Sequence, residues 1–317
     1  MHYGRKVNQV TSAYSVGGVA ALLRDASKST TYKPALLKAL TRNASRDGSL
    51  VVPLLNLGEE FVRLYWDQTV IYHLRQAAVL SKEAMAVKLI RATAIAHSAR
   101  KPADLPAKDR ERLTSRMASL LTVNVLAAFH ASKPDAMGVL YSWDRAARRV
   151  LLSPDSHAFL RENRLALELI ANYHWAAYLE GCNRLAPRII QKVSREAARR
   201  SSLARYMALL MREGNVECFY CGRRDLGERG MHVDHVIPWS FLLEDPVWDL
   251  VLACQACNVQ KSDWLPAYEY IEKLKRRNRN FKLIAGNASP LVTEPDVDRF
   301  YDAAISVEWP GFWSPKP

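Results

Sequence analysis

The chain has 317 residues, about half of them apolar, and a formal net charge of +13. That length allows two domains, each with its own core. No apolar run of about 18 residues or more occurs and the first residues lack the apolar stretch of a secretory signal, so no membrane span is expected and a cytoplasmic protein is.

The charge is unevenly placed. Residues 1–200 carry 31 Lys/Arg against 16 Asp/Glu, a net of +15, whereas residues 201–317 carry 14 against 16, a net of −2. A basic part joined to a near-neutral one points to a nucleic-acid partner for the first part, ahead of the plain reading of a basic soluble surface.

In chain order, residues 1–183 read as a mostly helical basic domain, DNA-binding or regulatory. "TYKPALLKALTR" has helical apolar spacing and begins near Pro34, and "LLNLGEEFVRLYW" is similar. "SKEAMAVKLIRATAIAHSA" reads as a helix capped by Ser81. "LYSWDRAARRVLLSP" reads as a hairpin. "SPDSHAFLRENRLALELIANYHWAAYLEG" reads as one strong helix, capped by Asp155 or Ser156 and stopped by Gly181. His73, His97, His130, His157 and His174 form no ligand pair and read as ordinary histidines.

A basic linking helix is expected over 184–212. Arg188, Lys192, Arg195 and Arg199 step by four, three and four, so they share a helical face. That face tracks phosphates or is a solvated amphipathic surface; the two readings weigh equally. Residues 213–285 carry the chemistry. "YEYIEKLKRRNRNFK" within them reads as a helix, and 286–317 as a short C-terminal helix followed by a Pro/Trp-rich tail, which packs back through Trp309 and Trp313 or hangs loose.

Of five cysteines, Cys182 stands alone as a small hydrophobe. The other four form two C-x-x-C pairs, Cys218/Cys221 and Cys254/Cys257, with 32 residues between them. Two such knuckles supply the four soft ligands of a structural Zn²⁺, and Gly222 suits a knuckle turn; the alternative is two unrelated buried pairs. Inside that frame "MHVDHVIP" reads as a strand. His232 and Asp234 then face one way and His235 the other, and a bend before Pro238 brings Asp234 and His235 towards a common site. Val251–Ala253 reads as a second strand, followed by a helix opening around Asn258. Trp239, Phe241 and Trp248 read as core of the intervening loop.

From about Cys218 to Asp263 the sequence resembles the HNH endonucleases, whose ββα-metal site is often stapled by zinc. "VDHVIPWSFLLEDPVWDLVLACQACNVQKSD" also resembles the HNH cutting domain of the CRISPR RNA-guided DNA nucleases, and "YKPALLKAL" resembles N-terminal regions of restriction-type HNH proteins. The resemblance implies an α+β, mostly α chain: a helical N-terminal domain followed by a small zinc-stapled ββα-metal module. It implies Asp234 and Asn258 as ligands of a catalytic Mg²⁺ (or Mn²⁺), His235 as general base, and Lys261 as a phosphate contact. Asp249 stands where the family more often has Asn, a residue that supports the loop and the base. A carboxylate there would raise the histidine's pKa. His232 contacts phosphate or is a strand residue bonded to backbone.

The expected activity is metal-dependent cleavage of DNA in prokaryotic restriction or anti-phage defence, with a homo-oligomer or a defence-system partner. The alternatives are a non-catalytic zinc module that binds nucleic acid, and an RNase using the same site.

Overall fold

A computed structural model describes residues 14–25, 31–46, 48–79, 82–131, 137–194, 202–212, 216–224, 230–285 and 294–315. The chain divides into two compact units, one of residues 1–70 and 76–178, the other of 71–75 and 179–317. Residues 184–212, 213–285 and 286–317 thus share the second unit. The fold is α+β and mostly helical, with two small sheets. No helix among the described residues is long and apolar enough to cross a membrane.

The first unit is built on helices α1 (Val16–Asp25), α2 (Tyr32–Ala44), α3 (Leu54–Trp66), α4 (Met85–His97), α5 (Ala107–Leu120), α6 (Leu126–His130), α7 (Pro154–Glu162) and the greater part of α8 (Arg164–Cys182). Apolar residues at helical spacing bury α2 on nearly every side. Its Lys38 is fully buried too, donating to Asn172 Oδ1, with the ammonium 5.9 Å from the Trp175 ring. α3 meets α5 at Gly58, where a Cβ would stand 2.7 Å from the Thr114 carbonyl oxygen. Only glycine permits that approach.

The hairpin expected around residue 145 is β2 (Ser142–Asp144) and β3 (Arg149–Leu151), closed by the Ala147 N–H donating to Asp144 Oδ1. β1 (Val51–Pro53) adds to β3 as a third antiparallel strand that the sequence reading did not foresee. The single helix expected over 153–181 is two. Asn163 divides it by leaving helical dihedrals (φ −99°, ψ 16°), with its side-chain amide bonded back to the Phe159 carbonyl, so that α7 ends before it and α8 begins after it. The cap is Ser153, whose hydroxyl accepts from Ser156 N–H, not Asp155 or Ser156. Gly181 does not stop α8, which runs on to Cys182. Ser81 lies outside the described residues, and helix α4 begins at Met85.

In the second unit Asn183 ties residues 71–75 to the rest. Its side chain accepts from Arg75 N–H at 2.8 Å and donates to Arg75 O at 3.0 Å. The linking helix expected over 184–212 is described as two pieces, α9 (Ile189–Ser194) and α10 (Ala204–Met211). Arg188 precedes α9 with φ +55°, a left-handed conformation that keeps α9 from starting earlier in the chain. The functional hairpin follows: β4 (Met231–His235), α11 (Trp239–Leu242), β5 (Leu250–Cys254) and α12 (Gln255–Lys261). β4 and β5 pair antiparallel, Met231 opposite Cys254 and His235 opposite Leu250. Phe241 and Trp248 are buried in the connection. α13 (Tyr268–Ala285) and α14 (Glu294–Ser306) pack against each other. The tail folds back: Trp309 Nε1 donates to Asp263 O, and Trp313 pairs with the Leu265–Ala267 backbone.

Candidate metal centre and active site

The hairpin's two ends hold two different constellations. At one end lie Cys218 and Cys221, on a tight turn, and Cys254 and Cys257, at the end of β5 and the start of α12. Gly222 takes φ +73° and donates to Cys218 O, closing the first knuckle, and Phe219 N–H donates to Leu252 O, fastening it to β5. In the second knuckle Cys257 N–H donates to Cys254 Sγ at 3.5 Å.

The four sulfurs lie within 4.8 Å of one another, and Cys221 and Cys254 are 3.8 Å apart. A tetrahedral zinc with Zn–S of about 2.3 Å sets its sulfurs about 3.8 Å apart, whereas a disulfide needs about 2.05 Å. The set fits a structural zinc. Burial holds the Cys218 and Cys257 thiols above the ordinary range. A cation there would reverse that by favouring thiolate.

At the other end β4 delivers Asp234 and His235, both buried. Asp234 Oδ2 accepts from the Tyr220 hydroxyl at 2.8 Å and pairs with Lys261 Nζ at 3.2 Å. Burial, and next the charge of Asp234, push the Tyr220 hydroxyl well above its usual pKa, so it stays a donor. Lys261 also donates to the His235 carbonyl at 2.5 Å. It is fully buried, its ammonium held by Asp234 and the strand end. Asn258 lies one turn before Lys261 on α12, which packs against β4, so the two share a face.

Asp249 is fully buried as well. Its Oδ1 accepts from Ile237 N–H at 2.8 Å and its carbonyl from Val236 N–H at 3.0 Å. It therefore fixes the bend after β4. Its Oδ2 has no hydrogen-bond partner. Burial pushes this carboxyl well above the usual carboxylate range; Asp234 adds to the rise, while the Ile237 N–H, Lys261 and Arg277 oppose it. The carboxylate in contact with the histidine is a different one. His235 Nε2 lies 3.1 Å from Asp245 Oδ1.

His232 sits half-buried opposite Ala253. Of the expected phosphate-tracking face, Arg195 and Arg199 lie outside the described residues. Lys192 is fully buried, donating to Pro187 O and Phe241 O, and Arg188 pairs with Glu244. Lys192 thus lies off any solvated face, whereas Arg188 is exposed.

Sequence reasoning missed Tyr220, Asp245 and Arg277. Tyr220 is one of two aromatics between the first two cysteines, beside Phe219, and that place was its only signal. Arg277, on α13, donates to the Val247, Trp248 and Leu250 carbonyls and braces the entry to β5. Asp245 had no signal beyond its proximity in sequence to the motif.

Compared with known proteins, residues 218–263 match a family model described as HNH endonuclease. No curated protein and no solved structure matches the chain.

Proposed function

From the HNH endonuclease domain at residues 218–263, we propose that this chain is a metal-dependent endonuclease that hydrolyses phosphodiester bonds in DNA. The observation that carries the proposal is the end of β4. There a buried Asp234–His235 pair, the histidine against a carboxylate, lies beside the helix that bears Asn258. A zinc module that only binds needs the cysteines and has no use for that trio.

In this reading Asp234, through the oxygen not taken by Tyr220 and Lys261, and Asn258, through its side-chain oxygen, would hold Mg²⁺ or Mn²⁺. When bound, the cation offsets charge on the phosphate and on the departing 3′ oxygen. His235 takes the proton of the attacking water. A carboxylate only accepts, so in its neutral form the ring donates from Nε2 to Asp245, which makes Nδ1 the basic nitrogen. Lys261 neutralises Asp234 Oδ2 and holds the His235 carbonyl, keeping both residues in place. One base and one module make one cut, so a monomer nicks and paired cuts require two protomers or two events.

Nicking of supercoiled plasmid by the purified chain in Mg²⁺ or Mn²⁺ tests this. His235→Ala should lower the rate by about 10² to 10⁴, and EDTA should abolish it. Equal nicking by wild type and His235→Ala would remove the assignment.

One observation favours a second reading. Lys261 already compensates the charge of Asp234, as it would in a zinc module that binds nucleic acid without cutting. That module would hold the same plasmid in a salt-dependent way and nick it under no metal condition. Cleavage of RNA uses the same chemistry and is read by offering both substrates. The basic domain over 1–183, as a DNA-binding or regulatory part, rests on its charge. Restriction or anti-phage defence, and a cytoplasmic prokaryotic setting, rest on the resemblance.

A further inference from the structure

The basic residues of segment 188–205 that the structure describes converge on one loop. Lys192 donates to Phe241 O at 2.6 Å and lies 5.0 Å from the Phe241 ring. Arg188 forms an ion pair with Glu244. Arg205, 62% exposed and donating to the Tyr206 hydroxyl at 2.9 Å, stands 3.9 Å from Asp245 Oδ2. The segment these residues hold, 241–245, leaves the end of α11 at Leu243 with φ +56° and presents Asp245 Oδ1 to His235 Nε2. An ammonium is tolerated in a fully buried position only where its hydrogen bonds are met, and those of Lys192 go to the carbonyls of Pro187 and Phe241.

We infer that Asp245 is a positioning residue for His235, fixing its ring and tautomer, and that Arg188, Lys192 and Arg205 form the clamp that holds Asp245 in place. The inference rests on the nuclease reading above for its effect on rate and on geometry alone for its effect on the ring. The pair is well enclosed, with side chains 5% and 11% exposed, so water competes weakly for Nε2. An Asn in place of Asp245 can meet the ring with either its carbonyl oxygen or its amide N–H, so it no longer fixes which ring nitrogen carries the proton.

Two measurements test this. In steady-state plasmid nicking, Asp245→Ala and Asp245→Asn should lower kcat by about 10- to 100-fold, part of what a general base contributes, with KM for plasmid unchanged. Arg188→Ala and Arg205→Ala should lower kcat by a smaller factor, again at constant KM. A rise in KM with a flatter salt dependence in the arginine variants would make them phosphate contacts and overturn the clamp. Full activity in the Asp245 variants would overturn the positioning role. The second measurement needs no activity: ¹⁵N spectra of histidine-labelled protein, with His235 assigned through His235→Ala. At a pH where the ring is neutral, wild type should show the single tautomer protonated at Nε2, and Asp245→Asn a mixture of the two. The same tautomer in both would overturn the inference even for a chain that cuts nothing. Absence of nicking beside the expected tautomer change would remove the nuclease reading and leave Asp245 as the partner of the ring.

Discussion

At one end of the β4–β5 hairpin four like ligands converge; at the other, four strand residues along, the side chains are unlike and come from separate elements. The cysteine end joins two knuckles, and its groups suit a single ion on all four sides. The histidine end draws Tyr220 from a knuckle, Asp234 and His235 from β4, Asp245 and Asp249 from the connection, and Lys261 from α12. It also keeps an oxygen unsatisfied, Asp249 Oδ2, in a fully buried position. A closed ligand set is what stability requires, whereas buried ionisable groups with unspent bonding capacity are where, on the nuclease reading, chemistry would take place. The contrast separates a staple from a site within one short hairpin.

The strongest way to break that contrast is to remove the staple. Wild-type protein should carry about one zinc per chain that resists mild EDTA. Cys254→Ser should lose it and unfold the module, since structural zinc supplies on the order of 10 kcal/mol in small domains. Nicking should vanish with it, because His235 sits on a strand paired with the one that ends at Cys254. A variant that keeps its zinc and its melting temperature would mean that the cysteines are not a ligand set.

The histidine end should fail in the other direction, without loss of zinc. Lys261→Met leaves Asp234 buried beside Tyr220 and without its cation. Removing one partner of a buried pair costs about 3–5 kcal/mol. Chemical denaturation should show that loss while metal analysis shows the zinc unchanged. A neutral effect would mean that the ammonium is incidental to the fold of this end.

These two ends were not equally legible in the sequence. The cysteines announce themselves because each ligand pair is local and the type of atom needed is unmistakable. Asp234, His235 and Asn258 were found through a resemblance that binds residue types to positions. Asp245 is ten residues from its histidine, through a connection with no periodicity, so only folding brings them together. Lys192 was misread for a related reason: helical spacing shows which residues share a face, but not whether that face meets water or the Phe241 carbonyl. Elsewhere the apolar period placed α2, α3 and α13 correctly. The break at Asn163 escaped because its departure from helical dihedrals is a local matter that a polar residue in a helical pattern does not reveal.

The smallest expected effect concerns Asp249, and it bears on the contrast most directly. Its carboxyl is held well above the usual range, first by burial and then by Asp234. The folded chain therefore keeps this proton at pH values where the unfolded chain has released it. The resulting stability is present in full below the unfolded pKa, about 3.9, and is lost as pH rises through the folded value. Asp249→Asn copies the protonated form at every pH. It should leave stability near pH 4 almost unchanged and raise it at pH 8 by roughly 1 kcal/mol, on the order of 3 °C in melting temperature. The groups facing the carboxyl that set this balance are Asp234, Lys261 and Arg277, so the comparison requires all three intact. Mg²⁺ decides what the result means. If Asp249 only braces the bend through Ile237 N–H, the Asn variant nicks normally and gains its stability with or without the ion. A variant that is less stable at pH 8 in Mg²⁺, and slow to nick, would show that Oδ2 is ionised and turned to the cation, and the histidine end would then carry a third metal ligand beside Asp234 and Asn258.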